Sequence, residues 1–373
     1  MRKKATLRLE NGMEFHGYSF GCDRQCCGDV VFNTSMVGYP EQLTDPAYCG
    51  QILCLTYPLV GNYGVPSEVL EAEEVSRNFE SLRIQPCGLV AFDYCEDYSN
   101  WEAVKSLEQW MLEHGLTGIY GIDTRELTKL LRDKGQMSGC IIPEGSEAAG
   151  DSEKKATKAT PADVTCASVI RYGARPAEEV LNANGSKAAV AQGKKVVLVD
   201  CGVKHSLIRS LFARGVEVIR VPYGYDFTAL EYDGVFVSDG PGNPAECTHT
   251  IEMLRKVMQE GRPVFGSGLG YMLVALAAGC RVQSLKRPHR SANQPVRKEG
   301  SNRAFITAQN AAYTVAQDSV PADWEVCFKN LNDGAADAMR HKSMPFFGAQ
   351  FNPEVCVGLD ENVTMTDEFI SRL

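Results

Sequence analysis

No stretch of this 373-residue chain approaches the roughly 18–20 consecutive apolar residues needed to cross a bilayer. No secretory leader is expected from the opening residues either. Met1-Arg2-Lys3-Lys4 runs into the alternation Ala5-Thr6-Leu7-Arg8-Leu9-Glu10, which reads as a strand and has no apolar block. A cytoplasmic protein without a membrane partner is the expectation. Positive charge is short as well: 38 basic residues against 47 acidic ones leave a net charge of −9. That argues against a general nucleic-acid binder, which favours a positive face. Cysteine is present fourteen times but scattered, mostly inside apolar runs such as Ile52-Leu53-Cys54-Leu55, where it behaves as a small hydrophobe. Only Cys22, Cys26 and Cys27 cluster, and no second ligand pair follows at zinc spacing. No metal site is expected, and the thiols read as free.

What is there is an ordinary globular composition, 44% hydrophobic and 23% charged, in a chain longer than one domain usually holds. Residues 1–143 open with short strands, among them Val30 to Thr34 and Ile52 to Tyr57, and then turn helical. Asp123 to Arg132 predicts a helix with one apolar face, capped by Asp123 or Thr124 and ended by Gly135. Residues 144–193 form a linker, polar and small around Glu144 to Lys155 and again around Ala183 to Lys187. Residues 194–373 are α/β. Val196-Val197-Leu198-Val199-Asp200 is a continuous apolar run, the pattern of a strand buried on both faces of a parallel sheet. Helical and strand segments then alternate: a helix near 207–213, strands at 216–221 and 234–238, and a helix near 249–260. The implied architecture is an open, doubly wound sheet. Its site should lie at the carboxyl ends of strands, where the loop 239–244 and the turn 266–270 both fall.

That turn carries the strongest local signal. Pro263-Val264-Phe265 leads into Gly266-Ser267-Gly268-Leu269-Gly270, and Tyr271-Met272-Leu273-Val274-Ala275-Leu276 continues as a helix. This is the outline of a nucleophile elbow, whose apex side chain is held clear of the backbone. The apex here is Gly268, which has no side chain. Ser267 sits beside the apex, not on it, and reads as a small turn residue. Cys280 and Cys356 read as packing residues. The spacing of Gly266, Gly268 and Gly270 is not a full dinucleotide fingerprint. His205, His249, His289 and His341 match no base position and read as polar surface or loop residues.

Several motifs together carry a resemblance. Phe32-Asn33-Thr34-Ser35-Met36-Val37-Gly38-Tyr39, Leu43-Thr44-Asp45-Pro46, Leu55 to Gly64, and Ile122-Asp123-Thr124-Arg125 with Leu127-Thr128 are similar to the first domain of the carbamoyl-phosphate synthase small-subunit family. The second domain resembles the class I glutamine amidotransferases. The resemblance implies a mixed α/β first domain and an open-sheet glutaminase domain. It also implies that glutamine is hydrolysed and the ammonia passed to a large subunit, giving a heterodimer. That partner would hold ATP and Mg and make carbamoyl phosphate for arginine and pyrimidine synthesis, with no cofactor in this chain. The chemistry needs a cysteine thiolate, a histidine base, a carboxylate to orient it, and backbone N–H groups for the oxyanion.

Carried over residue by residue, the resemblance loses its chemistry at the centre. The family's Phe-Gly-Ile-Cys-Leu-Gly-His-Gln reads Phe265 to Met272 here, so the nucleophile position is Gly268 and the glutamine-contacting position is Met272. Its Gly-His-Pro-Glu reads Phe351-Asn352-Pro353-Glu354, so the base position is Asn352 and the carboxylate Glu354 is retained. An amide cannot act as a base near neutral pH. Its Asn-His-Gly-Phe reads Asn310-Ala311-Ala312-Tyr313, and a substrate-contacting serine after Asp-Pro is Ala47. Gly240, Gly242, Leu269 and Asn310 remain as the cradle of the glutamine pocket. The resemblance therefore implies a synthase small-subunit homologue that docks to a large subunit with its own glutaminase lost. Two alternatives stand beside it: a free-standing pseudo-amidotransferase that binds another ligand or regulator, and a residual glutaminase with a relocated nucleophile. Glutamine is a partner only if the pocket still binds it.

Overall fold

The computed structural model describes residues 2–146, 158–176, 188–352 and 361–373, with side chains from 365 onward in the last segment. The chain divides into two compact units, Met1–Ala159 and Thr160–Leu373. No described helix is long and apolar enough to cross a membrane.

The first unit is built on a closed barrel of seven strands. In chain order they are β1 (Lys4–Leu9), β2 (Glu14–Gly21), β3 (Cys26–Asn33), β4 (Ile52–Leu55), β5 (Gly88–Val90), β6 (Thr117–Tyr120) and β7 (Met137–Pro143). Around the barrel they run β1-β7-β3-β4-β5-β6-β2. Successive side chains of a strand point to opposite faces, and here both faces are covered. Val30, Phe32, Ile52, Cys54 and Val90 share one core with Leu127 and Leu131. Val31, Leu53, Leu55 and Leu89 share another with Leu107, Trp110 and Met111. Those partners come from two helices, α1 (Leu107–His114) and α2 (Thr124–Lys134). As the sequence predicts, the Asp123 carboxylate caps α2 by accepting from Glu126 N, and Gly135 ends it.

One expectation fails in this unit. Cys27 and Cys140 are not free thiols. They face each other across β3 and β7 with Cα atoms 4.1 Å apart and are joined as a disulfide. Their 113-residue separation along the chain hides a pairing that the strand register creates.

The second unit is a ten-stranded mixed sheet. Its strands are β8 (Ile170–Tyr172), β9 (Lys195–Asp200), β10 (Glu217–Pro222), β11 (Gly234–Val237), β12 (Val264–Ser267), β13 (Val282–Lys298), β14 (Ala304–Val315), β15 (Trp324–Asn330), β16 (Ala336–His341) and β17 (Phe346–Ala349). The spatial order is β8-β10-β9-β11-β12-β17-β16-β14-β13-β15. From β10 to β17 the strands are parallel, which explains the unbroken apolar run in β9. Helices α3 (His205–Ala213), α4 (Thr248–Gln259), α5 (Leu269–Ala277) and α6 (Glu361–Ser371) accompany this parallel core. Leu254 and Val257 of α4 and Leu273 and Val274 of α5 pack into one apolar cluster with Val235, Val237 and Val264. Phe369 of α6 meets Phe236 edge-on at 5.8 Å between centroids. The open sheet is the expected class; the long β13–β14 hairpin that extends it was not anticipated. Strand β8 falls within the stretch expected as linker, much of which lies outside the described residues.

Candidate functional site

Strand β12 is buried along its length between β11 and β17, in register Val264↔Phe346 through Ser267↔Ala349. At its carboxyl end the chain reverses through Gly268 at φ +54°, ψ −115°, and α5 begins at Leu269. A side chain is strained at this positive φ, and glycine is not. Gly268 N donates to Ala349 O at 2.9 Å, which pins the turn to β17. The flanking glycines are set by space. A Cβ on Gly266 would stand 2.4 Å from Gly270 O, and one on Gly270 would stand 2.2 Å from Val237 O. Ser267 is buried at the strand end and is not the apex.

The loop after β11 reaches the same turn, as its place at a strand end predicts. Gly270 N donates to Ser238 O at 3.1 Å. The Asp239 carboxylate then closes the site. Its Oδ1 accepts from Gly240 N and from Leu269 N, each at 2.8 Å. A Cβ at position 268 would lie 2.1 Å from that same oxygen. Gly240 is compelled by close approach, since its Cβ would stand 1.9 Å from Cys201 O, and Gly242 takes φ +107°. Asp239 is the site residue that sequence reasoning missed. The signal was its place in the loop 239–244, immediately before Gly240, which the resemblance placed in the cradle of the glutamine pocket.

On the other side of the elbow, β17 continues to Asn352, whose backbone N donates to Ala308 O of β14 at 3.2 Å. Asn352 is buried, and its Oδ1 has no hydrogen-bond partner among the described residues. The Asn310 Oδ1, two residues along β14 from that contact, accepts from Arg290 Nη1, while its Nδ2 is buried without a partner among the described residues. Ala312 and Tyr313 follow, half-buried, with Tyr313 packed on the apolar cluster. Met272 is buried within that cluster. Glu354 and Cys356 lie outside the described residues. Ala47 belongs to the first unit, in the single turn Pro46–Tyr48, where its N donates to Asp45 Oδ1 at 2.9 Å.

Two histidines read as surface or loop residues prove to be buried in elements. His205 opens α3, and burial, with Arg220 and Arg209 adding to it, pushes its pKa down to about 3. His289 lies within β13, bonded to Gln309 at 3.0 Å and Asp333 at 2.9 Å. Burial opposes its charge, but the bond to Asp333 and the field of Asp337 outweigh this, and it titrates above its usual value. Asp337 accepts from Gln309 at 2.6 Å and Asn330 at 3.0 Å, yet burial raises it to about 6. His249 is exposed, and His341 is half-buried with Asp323 at 3.1 Å. Cys280 is buried beyond the end of α5, its thiol pushed up to about 11 by burial.

The family model for the carbamoyl-phosphate synthase small chain, CPSase domain, matches residues 7–141, and the one for class I glutamine amidotransferases matches residues 197–372. The carbamoyl phosphate synthase arginine-specific small chain of Debaryomyces hansenii is 39% identical over 375 residues, covering 99% of this chain and 85% of that one. This chain belongs to the carbamoyl-phosphate synthase small-chain family. The corresponding small chain of Aspergillus clavatus is 40% identical, with 100% and 80% covered. The chain also matches larger proteins. It is 41% identical over 372 residues to human mitochondrial carbamoyl-phosphate synthase (ammonia), but spans only 24% of that protein's length.

The site combines a complete strand–turn–helix backbone with an apex that carries no side chain. The strand, the turn, the backbone donors at 240 and 269 and the Asn310 side chain are in place. The apex has no side chain, Asn352 is buried with its Oδ1 unpartnered among the described residues, and the donors hold an internal carboxylate. In this arrangement the backbone N–H groups of Gly240 and Leu269 are already engaged by Asp239, and from Gly268 it cannot supply a nucleophile.

Proposed function

We propose that this chain is a carbamoyl-phosphate synthase small subunit whose own glutamine hydrolysis is lost, and that it pairs with a large synthase subunit in ammonia-dependent carbamoyl phosphate synthesis. The observation that carries the reading is the elbow itself, complete in backbone and empty at Gly268. A thioester needs a thiolate at the apex, and the proton delivered to departing ammonia needs an imidazole. Asn352 provides hydrogen-bonding groups only. Loss of the nucleophile alone costs on the order of 10⁶ in rate in enzymes that depend on one. The paired loss at 268 and 352, with Met272 buried in the core, argues against rescue by Ser267 or Cys280.

Two further points support the reading. The first-domain motifs are extensively retained beside the altered second domain. The human relative's printed name specifies ammonia. In this reading the small subunit is a structural and allosteric partner, ATP and Mg belong to the large subunit, and the site compartment is the cytoplasm. Purified protein should release no glutamate from glutamine above background, alone or with a large subunit. Clear turnover that a single substitution in this chain abolishes would sink the proposal.

A further inference from the structure

The two backbone donors at the elbow are already engaged by the chain itself. Gly240 N and Leu269 N converge on one oxygen, Asp239 Oδ1, each at 2.8 Å. Two convergent donors at this range form the geometry that stabilises a developing oxyanion, and here a permanent carboxylate oxygen fills it. The same side chain takes the space of the absent nucleophile. A Cβ at 268 would stand 2.1 Å from Oδ1 and 2.7 Å from Oδ2, so a side chain placed there requires Asp239 to shift. Asp239 is buried in the loop two residues beyond Val237, the last residue of β11, the middle strand of the parallel sheet.

Resting on the loss of hydrolysis proposed above, we infer that Asp239 is the resident occupant of the oxyanion cradle and determines that no substrate acyl oxygen enters it. Restoring cysteine and histidine at 268 and 352 is then insufficient to restore glutamine hydrolysis. The physical reasons are affinity and charge. An ionised oxygen accepts stronger hydrogen bonds than the neutral amide oxygen of glutamine. Asp239 is also tethered beside its donors, whereas a substrate has to arrive from solution. Its negative charge would further oppose both a thiolate at the apex and an oxyanion in the cradle.

The test uses the full chain with Asp239→Ala and Asp239→Asn, each alone and combined with Gly268→Cys. By hydrogen exchange, the peptide spanning 265–272 should lose protection about tenfold or more in Asp239→Ala. It should keep its protection in Asp239→Asn, whose amide oxygen still accepts both bonds. Unchanged protection in Asp239→Ala overturns the inference, and this arm does not depend on tolerating a side chain at 268. The second arm follows alkylation of the thiol of Gly268→Cys by iodoacetamide at pH 7, mapped by mass spectrometry. The rate should rise about tenfold or more when Asp239→Ala is added, because a neighbouring carboxylate suppresses the thiolate. Equal rates overturn the inference and leave the lost-hydrolysis reading standing. Glutamine turnover by the unaltered chain would instead remove that reading, whatever the exchange and alkylation rates.

Discussion

At Gly268 the place of one missing side chain is taken by another residue's carboxylate, and the energetics of that exchange can be measured. In Asp239→Ala two backbone N–H groups lose a charged acceptor, and one of them, on Leu269, is buried. Hydrogen bonds to charged groups contribute about 1.5–3 kcal/mol each, and stranded buried donors cost about 1–3 kcal/mol. Asp239→Ala should therefore lower unfolding free energy by about 1–3 kcal/mol in urea titrations, and Asp239→Asn by less. Gly240→Ala makes a contrasting case. Its Cβ would meet the Cys201 carbonyl at 1.9 Å, a backbone atom that cannot rotate away. Overpacking of this kind costs about 1–3 kcal/mol or more, and the loss should appear whichever residue stands at 239. Equal stability of Asp239→Ala and the unaltered chain would mean that the donors find water at no cost. At this scale the sequence was legible where a residue type is compelled by backbone space, as at Gly266 and Gly270 of the turn. It was not legible where the decisive partner, Asp239, meets Leu269 across 30 positions.

Among the elements, α3 and β16 carry buried titratable groups whose pH effects oppose each other. His205, at the start of α3, has its pKa depressed from 6.5 to about 3 by burial. The unfolded chain takes up this proton first, so the stability it contributes is present above pH 6.5 and lost as pH falls toward 3. Asp337, in β16, is raised from 3.8 to about 6 by burial. The folded state keeps that proton longer, so its contribution is present below pH 3.8 and lost as pH rises through 6. Between about pH 6 and 4 the two slopes largely cancel, so variants have to separate them. Measured by urea unfolding, His205→Gln should gain on the unaltered chain by about 1.4 kcal/mol per pH unit on acidification from 6.5 to 4.5. Asp337→Asn should move the opposite way between pH 6 and 4. Parallel pH profiles for all three proteins would refute the assignment. The sequence pattern marked a helix near 207–213 and a strand at 196–200, because one apolar face or one unbroken run suffices for each. It did not reveal that His205 and His289 are buried, nor that Cys27 bonds Cys140. Those facts depend on which strands become neighbours, and closure of the barrel is a long-range event that no local pattern encodes.

For the molecule as a whole, the two family models, over residues 7–141 and 197–372, fall one in each unit, and the family was legible from motifs spread along the chain. What the site does within an assembly depends on chemistry supplied elsewhere, and that makes a discriminating prediction possible. If the elbow releases no ammonia, synthesis by this chain together with a large subunit must draw on ammonia from solution. Only the unprotonated amine carries the lone pair that attacks an activated carbon. At fixed total ammonium, the rate of carbamoyl phosphate formation should therefore climb with pH across the neutral range, following the free-amine fraction. Replacing ammonium with glutamine at equal concentration should give no product, and adding glutamine to an ammonium-driven reaction should not change its rate. The same large subunit paired with a glutaminase-competent small subunit supplies the control, since its glutamine-driven rate would not track free ammonia. A glutamine-driven rate in the complex containing this chain would show that the elbow, or a nucleophile outside it, still works. A complex that fails to form while both proteins are folded would instead favour the free-standing role for the same emptied centre.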